Sequence, residues 1–138
     1  MARRKSRIIA FQAIFSWDAG GETLEHLLQF SWVDSKQNLD ESDLSFSRIL
    51  IAGTIENIEQ IDELIKTHLA KNWTFDRLNK VTLAILRISI FSIIHQKEIS
   101  PSIVIDEAID LAKQFDSDES FKFINAMLDT IRKEQSAV

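Results

Sequence analysis

"VTLAILRISIFSII", residues 81–94, is the most apolar stretch of the chain and carries one charge, Arg87, at its middle. The run is too short to span a bilayer, and it predicts a buried central helix over 75–95 with Thr74 as candidate cap. A single proline (Pro101) and three glycines (Gly20, Gly21, Gly53) are little punctuation for the tight turns of a β protein. The fold class is therefore all-α.

The flanking sequence extends this pattern in both directions. From Arg4 to Trp17, Ile8, Phe11 and Ile14 or Phe15 recur at helical steps, and Gly20-Gly21 stops the segment. A shorter segment follows from Glu22 to about Val33, then the polar stretch "DSKQNLDES" at 34–42. Asp43 is the candidate cap of the next helix, whose apolar positions Phe46, Ile49, Leu50 and Ile55 continue into Ile58, Ile61, Ile65 and Leu69, with a bend or break near Gly53 to Ile58. Beyond the central helix, Pro101 opens a segment to Phe115 with Val104, Ala108, Leu111, Ala112 and Phe115 on one face. Asp116 and Glu119 have capping-box spacing before a final helix carrying Phe123, Ile124, Met127, Leu128 and Ile131. The sum is six or seven helices in one domain, and no period of 20–50 residues points to a solenoid.

Composition narrows the function. At 138 residues, 45% apolar and 27% charged, the chain reads as an ordinary globule large enough to bury a core without staples. It has no cysteine, which excludes disulfides, thiolate metal sites and cysteine nucleophiles. Gln12, Ser16 and Asp18 interrupt the run after the basic start, so no secretory signal is expected and the cytoplasm is the expected location. His26, His68 and His95 show no metal-ligand spacing, and no nucleotide loop or nucleophile elbow occurs. "DSDES" at 116–120 opens like a calcium loop, but Phe121 and Met127 stand where that loop needs glycine and glutamate. Asp106 and Asp110, one helical turn apart, read as the wet face of an amphipathic helix. Neither catalysis nor a cofactor is expected.

One feature is unusual in a chain of net charge −5: "ARRKSR" at 2–7 concentrates Arg3, Arg4, Lys5 and Arg7 at one end. Positive charge in a first helical turn opposes the helix dipole. Clustered Arg and Lys suit phosphate contact, and the acidic remainder limits indiscriminate binding to nucleic acid. Specific binding to RNA would further require bases stacked on aromatic rings, for which Phe15 and Phe121 or Phe123 are candidates, core packing being the competing role.

"RRKSRIIAFQAIFSW" at 3–17 resembles the arginine-rich opening and Q-A-aromatic-x-W helix of the NusB family. "ILRISIF" at 85–91, "IDEAIDLAKQF" at 105–115 and "ESFKFINAMLD" at 119–129 resemble its three C-terminal signatures in order. The resemblance covers nearly the whole chain and is weakest over 22–42. It implies about seven helices in two small packed bundles, about 1–57 and about 58–138. It also implies an antitermination factor that binds boxA RNA together with the ribosomal protein NusE, joins elongating RNA polymerase, notably on ribosomal RNA operons, and has no enzymatic activity. Arg3, Arg4, Lys5 and Arg7 then fall on the RNA-binding arginine motif, Phe15 on a position usually tyrosine, and Lys122 and Phe123 on a second part of the RNA surface, expected beside helix one. His68, Asp76 and Thr82 match positions near the NusE-facing surface.

Departures from the family pattern bear on contacts more than on fold. Thr82 replaces a usual glutamate, which weakens a charge contact to NusE. Phe91-Ser92 replaces Tyr-Glu, Asp106 replaces an asparagine, Asp116 and Ala126 replace glycines, and Pro101 falls one position late. Two other functions stay open: an RNA-targeting accessory domain of a ribosomal RNA methyltransferase, which requires a longer reading frame, and a helical adaptor that binds protein alone. Monomer and homodimer are equally compatible with apolar helical faces.

Overall fold

A computed structural model describes residues 3–34 and 37–136; Ser35 and Lys36 of the polar stretch, and both extreme termini, lie outside the described residues. Among the described residues there are seven α-helices and no strand: α1 (Arg4–Gly20), α2 (Leu24–Leu27), α3 (Glu41–Glu56), α4 (Ile58–Thr67), α5 (Lys80–His95), α6 (Pro101–Phe115) and α7 (Ser120–Ser136). None is long and apolar enough to cross a membrane.

The apolar run lies in α5, buried at every residue from Thr82 to Ile93 and packed against α1, α3, α4, α6 and α7. One hydrophobic cluster unites Ile14 of α1, Leu50 of α3, Ile61 of α4, Leu86 of α5, Leu111 of α6 and Leu128 of α7. Gly53 in α3 makes room for α5: a Cβ there would stand 2.2 Å from the Phe91 ring. The break between α3 and α4 comes at Asn57, whose amide side chain donates to the Gly53 carbonyl at 2.8 Å.

Three boundaries differ from expectation. The central helix starts at Lys80, because Asn79 accepts from the Thr82 backbone N–H at 2.9 Å, while Phe75–Arg77 form a separate 3₁₀ turn after Thr74. Asp40, rather than Asp43, caps α3; Asp43 is the third residue of a reciprocal box in which each carboxylate accepts the other's backbone N–H. The second segment forms only the single turn α2, capped by Thr23, since Phe30 turns the chain at φ 57 and Trp32 donates its indole N–H back to the Leu27 carbonyl. At the far end Asp116 closes α6, and its carboxylate accepts from Thr82, Asn79 and the Ser117 backbone.

Arg87 is 5% exposed. Its guanidinium donates two parallel bonds of 2.9 Å to Asp62 on α4 and lies 3.1 Å from Asp18 near the end of α1, where Lys80 also reaches Asp18 at 3.2 Å. Trp17 and Phe75 flank it, each with its ring centre 5.8 Å away. Removing one partner of a buried charge is far costlier than losing an exposed pair. Asp62→Ala is expected to lower the unfolding free energy by roughly 3 kcal/mol, measured by urea denaturation; a change no larger than that of an exposed control such as Glu59→Ala would refute this placement of the charge.

Candidate nucleic-acid interface

The basic cluster sits at the head of α1, and neighbouring helices fix its position. Ser6 donates to the Asp43 carbonyl at 2.9 Å, and Ser47 donates to the Ser6 carbonyl at 3.1 Å. These buried hydroxyls fasten α1 to α3 at close range. Arg3 occupies the cap position in a left-handed conformation, φ 58, and its carbonyl accepts from the Arg7 backbone N–H. A non-glycine residue there is strained, which fits a position set by its surroundings.

The four cations separate into two groups. Arg3, Arg4 and Lys5 face outward: Arg3 donates to Ser42 at 3.2 Å, approaches Asp43 at 3.8 Å and lies 5.5 Å from the Phe46 ring centre. Arg4 donates to both oxygens of Glu107, at 3.2 and 2.9 Å, and to Asp110 at 2.6 Å. The hydrogen bonds that Arg4 donates to Glu107, then the charges of Glu107 and Asp110, raise the Arg4 pKa above its ordinary value. Lys5 is exposed. Arg7 turns inward, 2% exposed, donating to Ser92 of α5 at 3.2 Å and lying 5.6 Å from the same Phe46 ring. Burial pushes its pKa down against the pull of Glu107. The first turn of α1 holds no acidic residue of its own. Asp43, Glu107 and Asp110 bring negative charge to it from α3 and α6, which offsets the unfavourable dipole placement.

The aromatic candidates lie farther along the surface. Phe15 is half-buried on α1, roughly 16 Å along the axis from Arg4 at 1.5 Å per residue. It lines a shallow cavity of about 290 Å³ with Phe11, Val81 and Phe115. The Phe11 and Phe115 rings, 5.0 Å apart, join α1 to the end of α6. Lys122 is exposed and Phe123 half-buried in the first turn of α7. That helix packs chiefly on α5 and α6. Phe123 lines a cavity of about 370 Å³ with Trp73, Arg77, Thr82 and Ser120. Phe121 instead sits under Lys113, 5.2 Å from its ammonium.

On the expected partner face, Asp76 is exposed on the 3₁₀ turn, while Thr82 is buried, its hydroxyl donating to Asp116 at 2.5 Å. A carboxylate thus stands at the head of α5 although Thr82 carries none. His68 closes α4, with Nδ1 2.7 Å from the Leu64 carbonyl and Nε2 2.9 Å from Glu134 of α7. Burial disfavours its charge, but the hydrogen bonds to Leu64 and Glu134 and the glutamate's charge outweigh this and raise its pKa above the usual 6.5.

Several site residues escaped the sequence pattern. Ser6, Ser47 and Ser92 carry no signal beyond small size. Glu107 does: it stands three residues after Val104 and four before Leu111, on the apolar stripe of α6, and a carboxylate there needs a cationic partner. Asp110, expected as wet surface, is exposed yet engaged by Arg4. Trp73 is half exposed, and "KNWT" offered no periodicity to mark it.

Comparison with known proteins adds an independent line. The NusB family profile matches residues 4–133. Transcription antitermination protein NusB of Treponema denticola is 51% identical over 132 residues, covering 96% of each chain, and that of Borreliella burgdorferi is 40% identical over 131 residues, covering 92% of this chain and 91% of the other. Among solved structures, T. maritima NusB superposes with a TM-score of 0.86 at 34% identity, covering 96% of this chain and 91% of that one. A crystal structure of antitermination factors NusB and NusE in complex with dsRNA superposes with a TM-score of 0.85 at 29% identity, covering 96% and 97%.

The geometry sets two expectations. Arg7→Ala is expected to lower stability by roughly 2–5 kcal/mol, as truncation of large buried side chains does, whereas Lys5→Ala leaves the denaturation midpoint unchanged; equal effects would contradict the inward turn of Arg7. For His68 the sign follows from linkage: a pKa raised on folding stabilises fully below the unfolded value near 6.5 and is lost as pH rises through the folded value. Stability should therefore fall as pH rises from about 6 to 8, the usual histidine range, and Glu134→Gln should flatten that dependence; a wild-type curve already flat there would refute it.

Proposed function

This chain belongs to the NusB family, and from that premise we propose that the head of α1 binds boxA-type RNA in company with a NusE-type ribosomal protein. The chain is a transcription antitermination protein of that family and not an enzyme. In this reading Arg3, Arg4 and Lys5 contact phosphates, and Arg7 supports them from beneath through the Phe46 ring it shares with Arg3. Phe15 and Phe123 offer ring surface to bases, and Lys122 adds a cation. His68, Asp76 and Thr82 with its partner Asp116 form the face towards the ribosomal protein. The part before about residue 57 then carries most of the phosphate contacts, and the part after it most of the protein contacts. The complex acts on elongating RNA polymerase in the cytoplasm, and a homodimer of the free protein would have to open if it covered α1.

The observation that carries this proposal is the gathering of three outward cations at one helix end of an acidic chain. The likeness to a relative solved with NusE and dsRNA supports it. Four phosphate contacts on single-stranded RNA, from Arg3, Arg4, Lys5 and Lys122, give a slope of log affinity against log salt near about −2.8. Titration of a boxA-type RNA and a scrambled control, with and without the ribosomal protein, is expected to show preference for boxA that the partner strengthens. Lys5→Glu should weaken binding to both RNAs and shift the slope towards zero by at least ~0.7. Absence of RNA binding in every condition would leave a helical adaptor that binds protein alone.

A further inference from the structure

The head of α1 is an anion-binding position by construction, because a helix start presents unpaired N–H groups and the positive end of the dipole. In this protein no side chain caps it, and carboxylates of α3 and α6 pair instead with the arginine side chains around it. Two of them act on Arg4 from α6, and they are not equivalent. Glu107 is 5% exposed and takes the inner edge of the guanidinium through Nε and Nη2. Asp110 is half exposed in its side chain and meets Nη2 at 2.6 Å from the outer side. The cleft that Arg4, Ile8, Glu107, Asp110 and Gln114 enclose holds only about 40 Å³. That is little more than one water's share of liquid volume, about 30 Å³, so a phosphate that approaches Nη2 through this cleft has to displace Asp110.

We infer that Asp110 is a built-in anion holding the seat of an RNA phosphate on Arg4, and that RNA binds by exchanging with it while Glu107 keeps the guanidinium aimed outward. This rests on the RNA-binding function proposed above. The exchange is a swivel of an exposed side chain on a helix that does not move. Arg4 makes charge-assisted bonds before and after, so the RNA gains only the difference between phosphate and carboxylate at this position. Asp110 therefore lowers affinity for any phosphate backbone, and a lone phosphate contact is insufficient to bind. RNA that also engages Lys5, Lys122 and the aromatic rings can displace the carboxylate. Because phosphate contacts carry no sequence information, the effect is the same on every RNA sequence.

The test is Asp110→Asn, with Asp106→Asn as control for net charge: Asp106 is exposed on the same helix, one turn earlier. Asp110→Asn is expected to tighten boxA-type and scrambled RNA alike by about two- to fivefold at low salt, the range of exposed ion pairs. The log–log salt slope should stay near that of the wild type, because Arg4 meets the same phosphate in both proteins. The gain should vanish in an Arg4→Gln background, and Asp106→Asn should change little. Unchanged or weaker binding by Asp110→Asn would overturn the inference, weaker binding meaning that the carboxylate orients Arg4. An equal gain from Asp106→Asn would overturn it too, by showing a general charge effect. Failure of the RNA-binding function itself reads differently: neither wild type nor Asp110→Asn would then bind RNA at any salt.

Discussion

A guanidinium inside an apolar helix has to be paired, and the rest of this structure is arranged around that requirement at Arg87. Nothing else on α5 can pair it, since that helix holds no aspartate or glutamate. The anions come from outside: Asp62 from α4 and Asp18 from the last turns of α1. Both helices are thereby fixed in rotation as well as position, because a carboxylate one residue out of register would point away from the charge. Trp17 and Phe75 then close over the pair and exclude water, which strengthens the ionic contact and makes the loss of either partner expensive. The ion cluster therefore specifies an arrangement that apolar packing alone leaves free to slide.

The same helix, α1, carries the opposite problem at its other end. Four cations crowd a helix start, where the dipole disfavours them. Arg7 is taken into the core, and the hydroxyl of Ser92 and the ring of Phe46 replace part of its water. Arg3 and Arg4 are held at the surface by carboxylates of α3 and α6. The cluster is thus one structural cation and three outward ones, and a count of charges in the sequence cannot separate the two kinds. Position on the helix can: Arg7 is four residues before Phe11 and Arg3 four before it, so that residues 3, 7 and 11 share one stripe, of which only the later two are deep enough to be covered.

How much of this the sequence disclosed follows from the kind of interaction involved. The central helix, the break between α3 and α4 and the proline start of α6 are local or periodic features, and they were legible. The start of α5 was misplaced by five residues because Thr74 and Asn79 are both competent caps, and the apolar spacing of Phe75 and Leu78 mimics another helical turn. Asp40 and Asp43 are similarly ambiguous, being two aspartates that cap each other. The site was legible as a cluster but not as a circuit. Asp43, Glu107 and Asp110 lie tens of residues away in the chain, and only the packing of α3 and α6 against α1 brings them to the arginines. Glu107 alone left a trace, as a charge on an apolar stripe.

Thr82 and Asp116 show why departures from a family pattern are hard to interpret one position at a time. Each, taken singly, reads as a loss: a glutamate gone from the head of the central helix, a glycine gone from the turn after α6. In space they are one unit, with the Thr82 hydroxyl and the Asn79 amide both donating to the Asp116 carboxylate. The negative charge is present at the head of α5 after all, supplied from the end of α6, where it suits the helix dipole as a glutamate in the first turn would. It is also more constrained, since a short side chain with two side-chain donors has less freedom than a long one in water. What the substitutions alter is the chain segment that carries the charge, and that couples the head of α5 to the turn leading into α7, where Lys122 and Phe123 stand.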